Sequence, residues 1–569
     1  MSTLATQLEQ MENHRSVFED AVRQLPLPTC AAFGSAAAPR PIRFAASGRV
    51  LGTRDSDTVA RHFAQTVAAS GNAVLHGAGA ATPAGGRRVA ALFSGGPAAG
   101  GHNVLCGLKK MLGAGNTLLG VQGGPKGLLA GKLFEITDAH AADILNTGGF
   151  DFLGTDRTKI KTPEQFEQVR KTCIDHALDA IVIIGGDDSN TNAALLAEFL
   201  YAGVKPDGSG VQVIGAPKTI DGDLQVPGLL PISFGFDTAT RIYAELAGNI
   251  LQDTRSSLKY WHFIKLMGRS ASHVTLEVAL QVKPAVSLIS EEIAEKKLSL
   301  GALVDQIAQT VIARYRNEGL KHGVVLVPEG LIEFIPEMNA LIAELNDVLA
   351  HEADAFAALA EAGRAEFIAQ RLSAASAALF ASLPPYIVAM LLAERDSHGN
   401  LQVSLIPTEQ LLIDMTRSHL ARIAPDVPFG SQHHFFGYEG RCGAPTLFDA
   451  AYTWNLGLTV GALILDGRSG YMASISGLSS GGEPLAIPLT GLLNVERRHG
   501  KDEYVIEKAL VRTDAPAMRY FAARREAWAA TDRFASPGPR QLWGPAAHQM
   551  PMTVALNDEA DSLRFRIGE

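Results

Sequence analysis

The sequence predicts an α/β protein built on largely parallel sheets, and three observations carry that reading. Short unbroken apolar runs alternate with helical stretches, and glycine- or aspartate-rich turns follow the runs. At 569 residues the chain is also too long for one compact core, so two or more domains are expected. Strands covered on both faces by helices show continuous rather than alternating hydrophobicity, which is why these runs are read as parallel.

In order along the chain, residues 1 to about 85 read as a helical start followed by a Gly/Ala-rich stretch, GNAVLHGAGAATPAGG, expected to be a surface connection. The repeated unit then begins. VAALF (89–93) precedes SGGPAAGGHNV, IVIIGG (181–186) precedes DDSNTNAALLAEFL, and VQVIG (211–215) precedes APKTIDGD. WHFIKL (261–266) precedes MGRSASHVTLEVAL, and GVVLV (323–327) precedes PEG. In parallel α/β sheets ligands sit at the carboxyl ends of strands, and each of these polar motifs falls at such an end. Residues 336–428 differ. They are Ala/Leu-rich with Leu341, Leu345 and Leu349 at helical spacing, interrupted by Pro384 and Pro385, and read as a helical insertion. No sustained heptad supports a coiled-coil arm. Beyond about 510 no motif is readable.

Composition excludes several classes. An apolar fraction of 47% and a charged fraction of 19% are ordinary for a folded protein. The net charge of −9, with no basic block, argues against a nucleic-acid partner. Cys30, Cys106, Cys173 and Cys442 lie far apart without a C-x-x-C pair, so neither a disulfide framework nor a zinc site is expected, and a reducing cytoplasm fits. The first twenty residues have no apolar core of a secretory signal, and no run of about 18 apolar residues suggests a membrane span.

The turns differ in how much chemistry they carry. SGGPAAGG (94–101) can bring backbone N–H groups against phosphate oxygens, but glycine turns after strands are common. GPKGLLAGKL (124–133) is not a Walker loop: its glycine spacing is wrong and Leu133 stands where Ser or Thr is required. GGDDSN (185–190) is more specific. Helix capping explains one of its aspartates, whereas two adjacent carboxylates are costly without a cation or a neighbouring lysine. PKTIDGD (217–223) is the strongest signal, packing Lys218, Asp221 and Asp223 into one strand-end loop. Phosphoryl transfer requires positive charge on the moving phosphate, a carboxylate to take the acceptor's proton, and a carboxylate to hold metal. The two loops together supply all three. MGR (267–269), PEG (328–330) and YEGR (438–441) each place an Arg or Glu at a strand end, where Arg suits phosphate and Glu suits sugar hydroxyls. No role is assigned to His433 or His434.

Taken in order, SGG…GGHN, GGDD, PKTIDGD, ISFGFDTAT, KYWHFIKLMGR, PEG and GYEGRCGAPT resemble the phosphofructokinase family, and within it the long, pyrophosphate-dependent branch, from about 89 to 452. The resemblance implies two Rossmann-like lobes with the active site between them, a helical insertion and an N-terminal extension. It implies a donor lobe over 86–232 completed by about 445–510, a sugar-phosphate lobe over 233–335 and 429–444, an extension over 1–85, the insertion over 336–428 and a C-terminal segment over 511–569. The implied reaction is the reversible transfer of phosphate from pyrophosphate to fructose 6-phosphate, with Mg²⁺. By motif, Asp221 is the base, Asp187 the Mg²⁺ ligand, Lys218 and Asp188 catalytic neighbours, and Gly95 and Arg157 donor contacts. Thr219, Ile220, Asp221, Met267, Gly268, Arg269, Glu329, Tyr438, Glu439, Gly440 and Arg441 face the substrate. Lys259 and Tyr260 match a segment that reaches a neighbouring subunit's site, implying a dimer or higher homo-oligomer. The chain departs from the family pattern at Pro97–Ala98–Ala99, where Ala99 replaces proline and loosens the turn. ATP-dependent members carry glycine at the positions of Asp188 and Lys218, which disfavours an ATP donor. A catalytically silent regulatory subunit is the other alternative, disfavoured because both loops are intact.

Overall fold

Continuous apolar runs become strands here because their backbones pair while both faces are covered. The structure, a computed structural model, describes residues 17–82, 85–392, 405–498, 501–534 and 545–569. In chain order the strands are β1 (Ile42–Val50), β2 (Ala73–Ala80), β3 (Arg88–Ser94), β4 (Thr117–Val121), β5 (Leu133–Glu135), β6 (Thr155–Asp156), β7 (Ala180–Gly185), β8 (Gln212–Pro217), β9 (Tyr260–Leu266), β10 (Val286–Ser287), β11 (His322–Pro328), β12 (Ser431–Phe436), β13 (Tyr471–Ser476), β14 (Glu483–Pro488), β15 (Leu493–Arg498) and β16 (Lys501–Ile506). The chain divides into two units. One comprises Met1–Ala239, Glu439–Ala509 and Gln541–Glu569; the other comprises Thr240–Tyr438 and Leu510–Arg540.

In the first unit a ten-stranded sheet runs β1-β2-β14-β13-β8-β7-β3-β4-β5, with β6 paired to β3. Its centre is parallel, and register sets Phe93 opposite Ile184 and Gly185 opposite Pro217. That register brings the ends of three adjacent strands level, so the loops after β3, β7 and β8 converge. Every residue of β7 is buried, as are nearly all of β3 and β8, as the unbroken apolar runs require. The sheet margins are antiparallel, through β4–β5, β13–β14, β14–β2 and β2–β1. The stretch expected to be a surface connection is therefore partly strand: Ala73–Ala80 pairs with β1 and, at Leu75 and His76, with β14. Ladder hydrogen bonds need no side chains, so a Gly/Ala-rich segment joins the sheet while showing little hydrophobic pattern. A helix is present from Val17 to Arg23, and the rest of the expected helical start, residues 1–16, lies outside the described residues.

The second unit is built on the wholly parallel sheet β10-β11-β9-β12. The Ala/Leu-rich segment is helical, as Pro336–His351, Ala353–Ala357, Glu361–Ala369, Ala374–Ser382, Pro385–Leu391 and Thr408–Ile423; residues 393–404 lie outside the described ones. It also builds the core of this unit. Leu341, Leu345, Phe380, Ile387 and Leu411 join Trp261, Phe263 and Val325 of the sheet in one buried cluster. Pro385 begins a helix, the position where a missing N–H costs nothing. The segment after Leu510 is held in this unit by ion pairs, Arg525 with Glu292 and Asp532 with both Arg314 and His322. No helix among the described residues is long and apolar enough to cross a membrane.

Candidate active site

Three loops of the first unit meet at the level strand ends. After β3, Gly95 takes φ +85°, a conformation that favours glycine, and donates its N–H to Asp156 O at 2.9 Å. A Cβ on Gly96 would lie 2.0 Å from Arg441 Nη1, so the absence of a side chain lets that guanidinium rest against the turn. After β7, Gly186 caps the helix Asp187–Phe199 and puts both aspartates in its first turn, where the helix dipole favours negative charge. Asn190 fixes the turn by donating Nδ2–H to Gly185 O and Gly186 O at 2.7 and 2.9 Å. Ser189 Oγ donates to Ser94 Oγ at 2.8 Å, tying this turn to the end of β3. After β8, Lys218 donates its backbone N–H to Gly185 O at 3.0 Å, and Asp221 its own to Thr219 Oγ1 at 3.1 Å. Gly222, at φ +73°, turns the chain between Asp221 and Asp223.

Electrostatics bind these loops into one site. Lys218 is 7% exposed. Burial and the nearby Arg441 charge pull its ammonium from 10.5 down to about 8, against the upward pull of Asp221, Asp187 and Asp223. Burial pushes the Asp187 carboxyl above its ordinary range; Lys508 opposes that push, and Asp188 and Asp223 add to it. Each flanking carboxylate has its own lysine. Lys159 Nζ donates to Asp188 Oδ1 at 2.8 Å, and Lys508 Nζ lies 3.5 Å from Asp223 Oδ2. The cost expected for adjacent aspartates is thus met by cations, one from the loop after β6 and one from the residues after β16. Sequence reasoning passed over both lysines. Lys159 lies two residues beyond Arg157 in GTDRTKI and could have been suspected; Lys508 lies in a segment without motif. Arg157 itself is exposed, just past β6.

The remaining predicted residues divide between the units. Ile220 is buried and Thr219 half-buried in the loop after β8, where Ser233 Oγ donates to Thr219 O at 2.9 Å. Glu439, Gly440 and Arg441, expected with the sugar-phosphate residues, belong to the first unit, and Arg441 lies with Gly96 and Lys218. In the second unit, Gly268 follows β9 at φ +131° and donates its N–H to Glu329 Oε2 at 3.0 Å, so the two loops MGR and PEG are joined. Met267 is buried, with its N–H on Phe436 O at 3.0 Å, whereas Arg269 is exposed. Tyr438 is 75% exposed. Tyr260 is partly exposed at φ +72°, an uncommon conformation for a tyrosine, with Lys259 Nζ 5.3 Å from its ring centre.

A glycine turn, a helix-start aspartate pair and a lysine–aspartate loop thus lie together at adjacent parallel strand ends. Residues 88–381, more than half of the chain, match the family described as Phosphofructokinase. The chain belongs to the phosphofructokinase family. It is 50% identical over 498 residues to a pyrophosphate–fructose 6-phosphate 1-phosphotransferase of Treponema pallidum, covering 85% of this chain and 86% of that one. It is 46% identical over 486 residues to the subunit beta of the protein of that name from Solanum tuberosum, covering 84% and 83%. Among solved structures, a pyrophosphate-dependent phosphofructokinase from Marinobacter aquaeolei superposes with a TM-score of 0.51 at 16% identity, over 81% of this chain and 98% of that one. The phosphofructokinase structure from Saccharomyces cerevisiae gives a TM-score of 0.50 at 17% identity over 71% of this chain, which spans 45% of that longer chain. These two likenesses show the phosphofructokinase fold, α/β with parallel sheets.

Proposed function

We propose that this chain transfers a phosphoryl group reversibly from inorganic pyrophosphate to the C1 hydroxyl of fructose 6-phosphate, giving fructose 1,6-bisphosphate and phosphate. The observation that carries the reading is the buried Lys218 set among Asp187, Asp221, Asp223 and Arg441. Relatives at 50% and 46% identity carry names that describe this reaction.

Asp221 takes the proton from the C1 hydroxyl as its oxygen attacks the terminal phosphorus of pyrophosphate. The bond from that phosphorus to the bridging oxygen breaks, and inorganic phosphate leaves with the bonding pair. Lys218, charged at neutral pH, stabilises the negative charge spread over the phosphoryl group in transit. The Arg441 guanidinium and the turn beyond Gly95, whose own N–H is held by Asp156 O, orient the donor; Arg157 adds positive charge from the loop after β6. Arg269, Met267, Gly268, Glu329, Tyr438, Glu439 and Gly440 bind the sugar phosphate, with Glu329 held by the Gly268 N–H.

Enzymes of this family work with a divalent cation, and Mg²⁺ fits the residues present. Asp187 is buried beside Asp188 and Asp223, whose negative charge favours an added cation while Lys508 opposes it. Among the described residues no group of three or more His, Cys, Asp or Glu side chains could hold a metal alone. Mg²⁺ is commonly held by one or two carboxylates, with substrate phosphates and water completing the octahedron, and Asp187 would supply the protein ligand. When bound, the ion neutralises donor charge and polarises phosphate oxygens. Lys259 and the strained Tyr260 are proposed to reach the site of a second copy, making the working assembly at least a dimer. The test is bisphosphate formation with pyrophosphate, ATP or ADP as donor, each with and without Mg²⁺. Turnover confined to pyrophosphate plus Mg²⁺ is expected; turnover with ATP alone would overturn the reading.

A further inference from the structure

Lys508 lies outside every motif, yet it forms an ion pair with Asp223. Its ammonium stands 3.5 Å from Asp223 Oδ2, and the next residue, Ala509, donates its N–H to Asp223 O at 2.7 Å. Two consecutive residues therefore hold both the side chain and the backbone of one nearly buried aspartate, 4% exposed. A buried carboxylate without a compensating charge is costly, so this pairing fixes where Asp223 can sit. Lys508 lies two residues beyond the paired strand β16. The strands β15 and β16 form a hairpin in register from Leu493–Ile506 to Arg498–Lys501, and Leu493 and Ile506 are buried in the core of the first unit. Ile506 donates its N–H to Thr191 Oγ1 at 3.1 Å, fastening the hairpin to the helix whose first turn carries Asp187 and Asp188. The segment that carries the lysine is thus fastened to the helix that presents Asp187, one of the two carboxylates it balances.

We propose that Lys508 is a positioning residue of the donor site: its ammonium balances the Asp187 and Asp223 carboxylates and, with the Ala509 N–H, fixes the loop Asp221–Gly222–Asp223. Charge balance makes opposite demands on the two ions that enter there. A fixed positive charge beside the carboxylates opposes a divalent cation arriving alone and favours a polyanionic donor. Removing it strengthens the first interaction and weakens the second, whereas a general loosening of the loop weakens both. The proposal rests on the pyrophosphate reading above, so the experiment includes wild-type turnover as a separate arm.

The experiment measures Mn²⁺ binding without substrates, and pyrophosphate binding in EDTA without acceptor, by calorimetry on the full-length wild type, Lys508→Met and Lys508→Arg. Matched melting curves establish that the variants are folded. In Lys508→Met, Mn²⁺ should bind about three- to fivefold tighter and pyrophosphate about three- to fivefold weaker, the size expected of one charge at a partly exposed site. Fructose 6-phosphate KM should move less than about twofold, and Lys508→Arg should restore both affinities. Mn²⁺ affinity that is unchanged, weaker or undetectable, or pyrophosphate affinity that is unchanged, overturns the proposal. Wild-type chain that fails to make bisphosphate from pyrophosphate overturns instead the reading beneath it, whatever Lys508 does.

Discussion

Asp188→Gly is the perturbation that probes donor choice most directly. By the resemblance, ATP's α-phosphate would lie against the position of Asp188, where ATP-dependent members carry glycine. Two unit charges about 4 Å apart repel by about 4 kcal/mol at an effective dielectric near 20, and by about 1 kcal/mol in bulk water. The structure places Asp188 toward the second figure: its side chain is 53% exposed and its Oδ1 is bonded to Lys159 Nζ at 2.8 Å. The electrostatic part of the exclusion is therefore about 1 kcal/mol, a factor of about five, and bulk supplies the rest. Charge and bulk separate by comparing two variants. Asp188→Asn removes the charge and keeps the size, so ATP turnover should rise no more than about fivefold. Asp188→Gly removes both and releases Lys159 toward a phosphate, so ATP turnover should rise well beyond that while pyrophosphate turnover falls. Adding Lys218→Gly should make ATP the preferred donor, because pyrophosphate then loses a transition-state contact worth a few kcal/mol. The assay is bisphosphate formation at saturating acceptor with each donor in turn. Asp188→Gly chains that leave ATP unused and pyrophosphate turnover intact would refute the gate. An asparagine variant as active with ATP as the glycine variant would refute the assignment to bulk.

Asp221→Asn keeps shape but removes proton acceptance, so kcat should fall by roughly 10² or more with fructose 6-phosphate KM much less affected; near-normal turnover would exclude Asp221 as base. Mixed under subunit exchange with a Tyr260→Ala chain, the same variant should regain part of the activity, and no recovery despite exchange would remove Tyr260 from a shared site. Arg269→Ala should raise acceptor KM roughly tenfold or more with pyrophosphate KM near wild type, the loss of a charge-assisted contact. Arg441→Ala, set against Gly96 and Lys218, should instead lower kcat roughly tenfold or more; an effect confined to acceptor KM would place Arg441 at the sugar phosphate alone. The depressed Lys218 ammonium is charged below about pH 8 and neutral above it, so kcat/KM for pyrophosphate should fall as pH rises through about 8. Lys218→Arg should carry that limb to higher pH, and an unmoved limb would assign it to another group.

What could be read from the sequence divides along the range of the interactions. The runs VAALF, IVIIGG and VQVIG announce β3, β7 and β8 because burial on both faces leaves no room for a polar residue, and that signal is local. The loops after them were readable for the same reason: a lysine and two aspartates within one turn need no partner from elsewhere to look costly. Even the need for compensating positive charge, from a cation or a neighbouring lysine, followed from GGDD alone. Which lysines meet it did not, because Lys159 and Lys508 come from separate loops and the spacing within a motif says nothing of what folds against it. The strand Ala73–Ala80 was hidden differently, its pairing made by backbone while its side chains stay small. Arg441 shows the consequence for function. Its motif follows β12 of the second unit, which invites grouping it with Arg269, yet the chain passes into the first unit between Tyr438 and Glu439 and the guanidinium lies on the Gly96 turn. A side chain's role follows the charge it faces rather than the strand it follows. Beside Lys218, whose ammonium it helps depress, Arg441 adds a second cation, and a polyanionic donor is the kind of ligand that relieves the repulsion between the two.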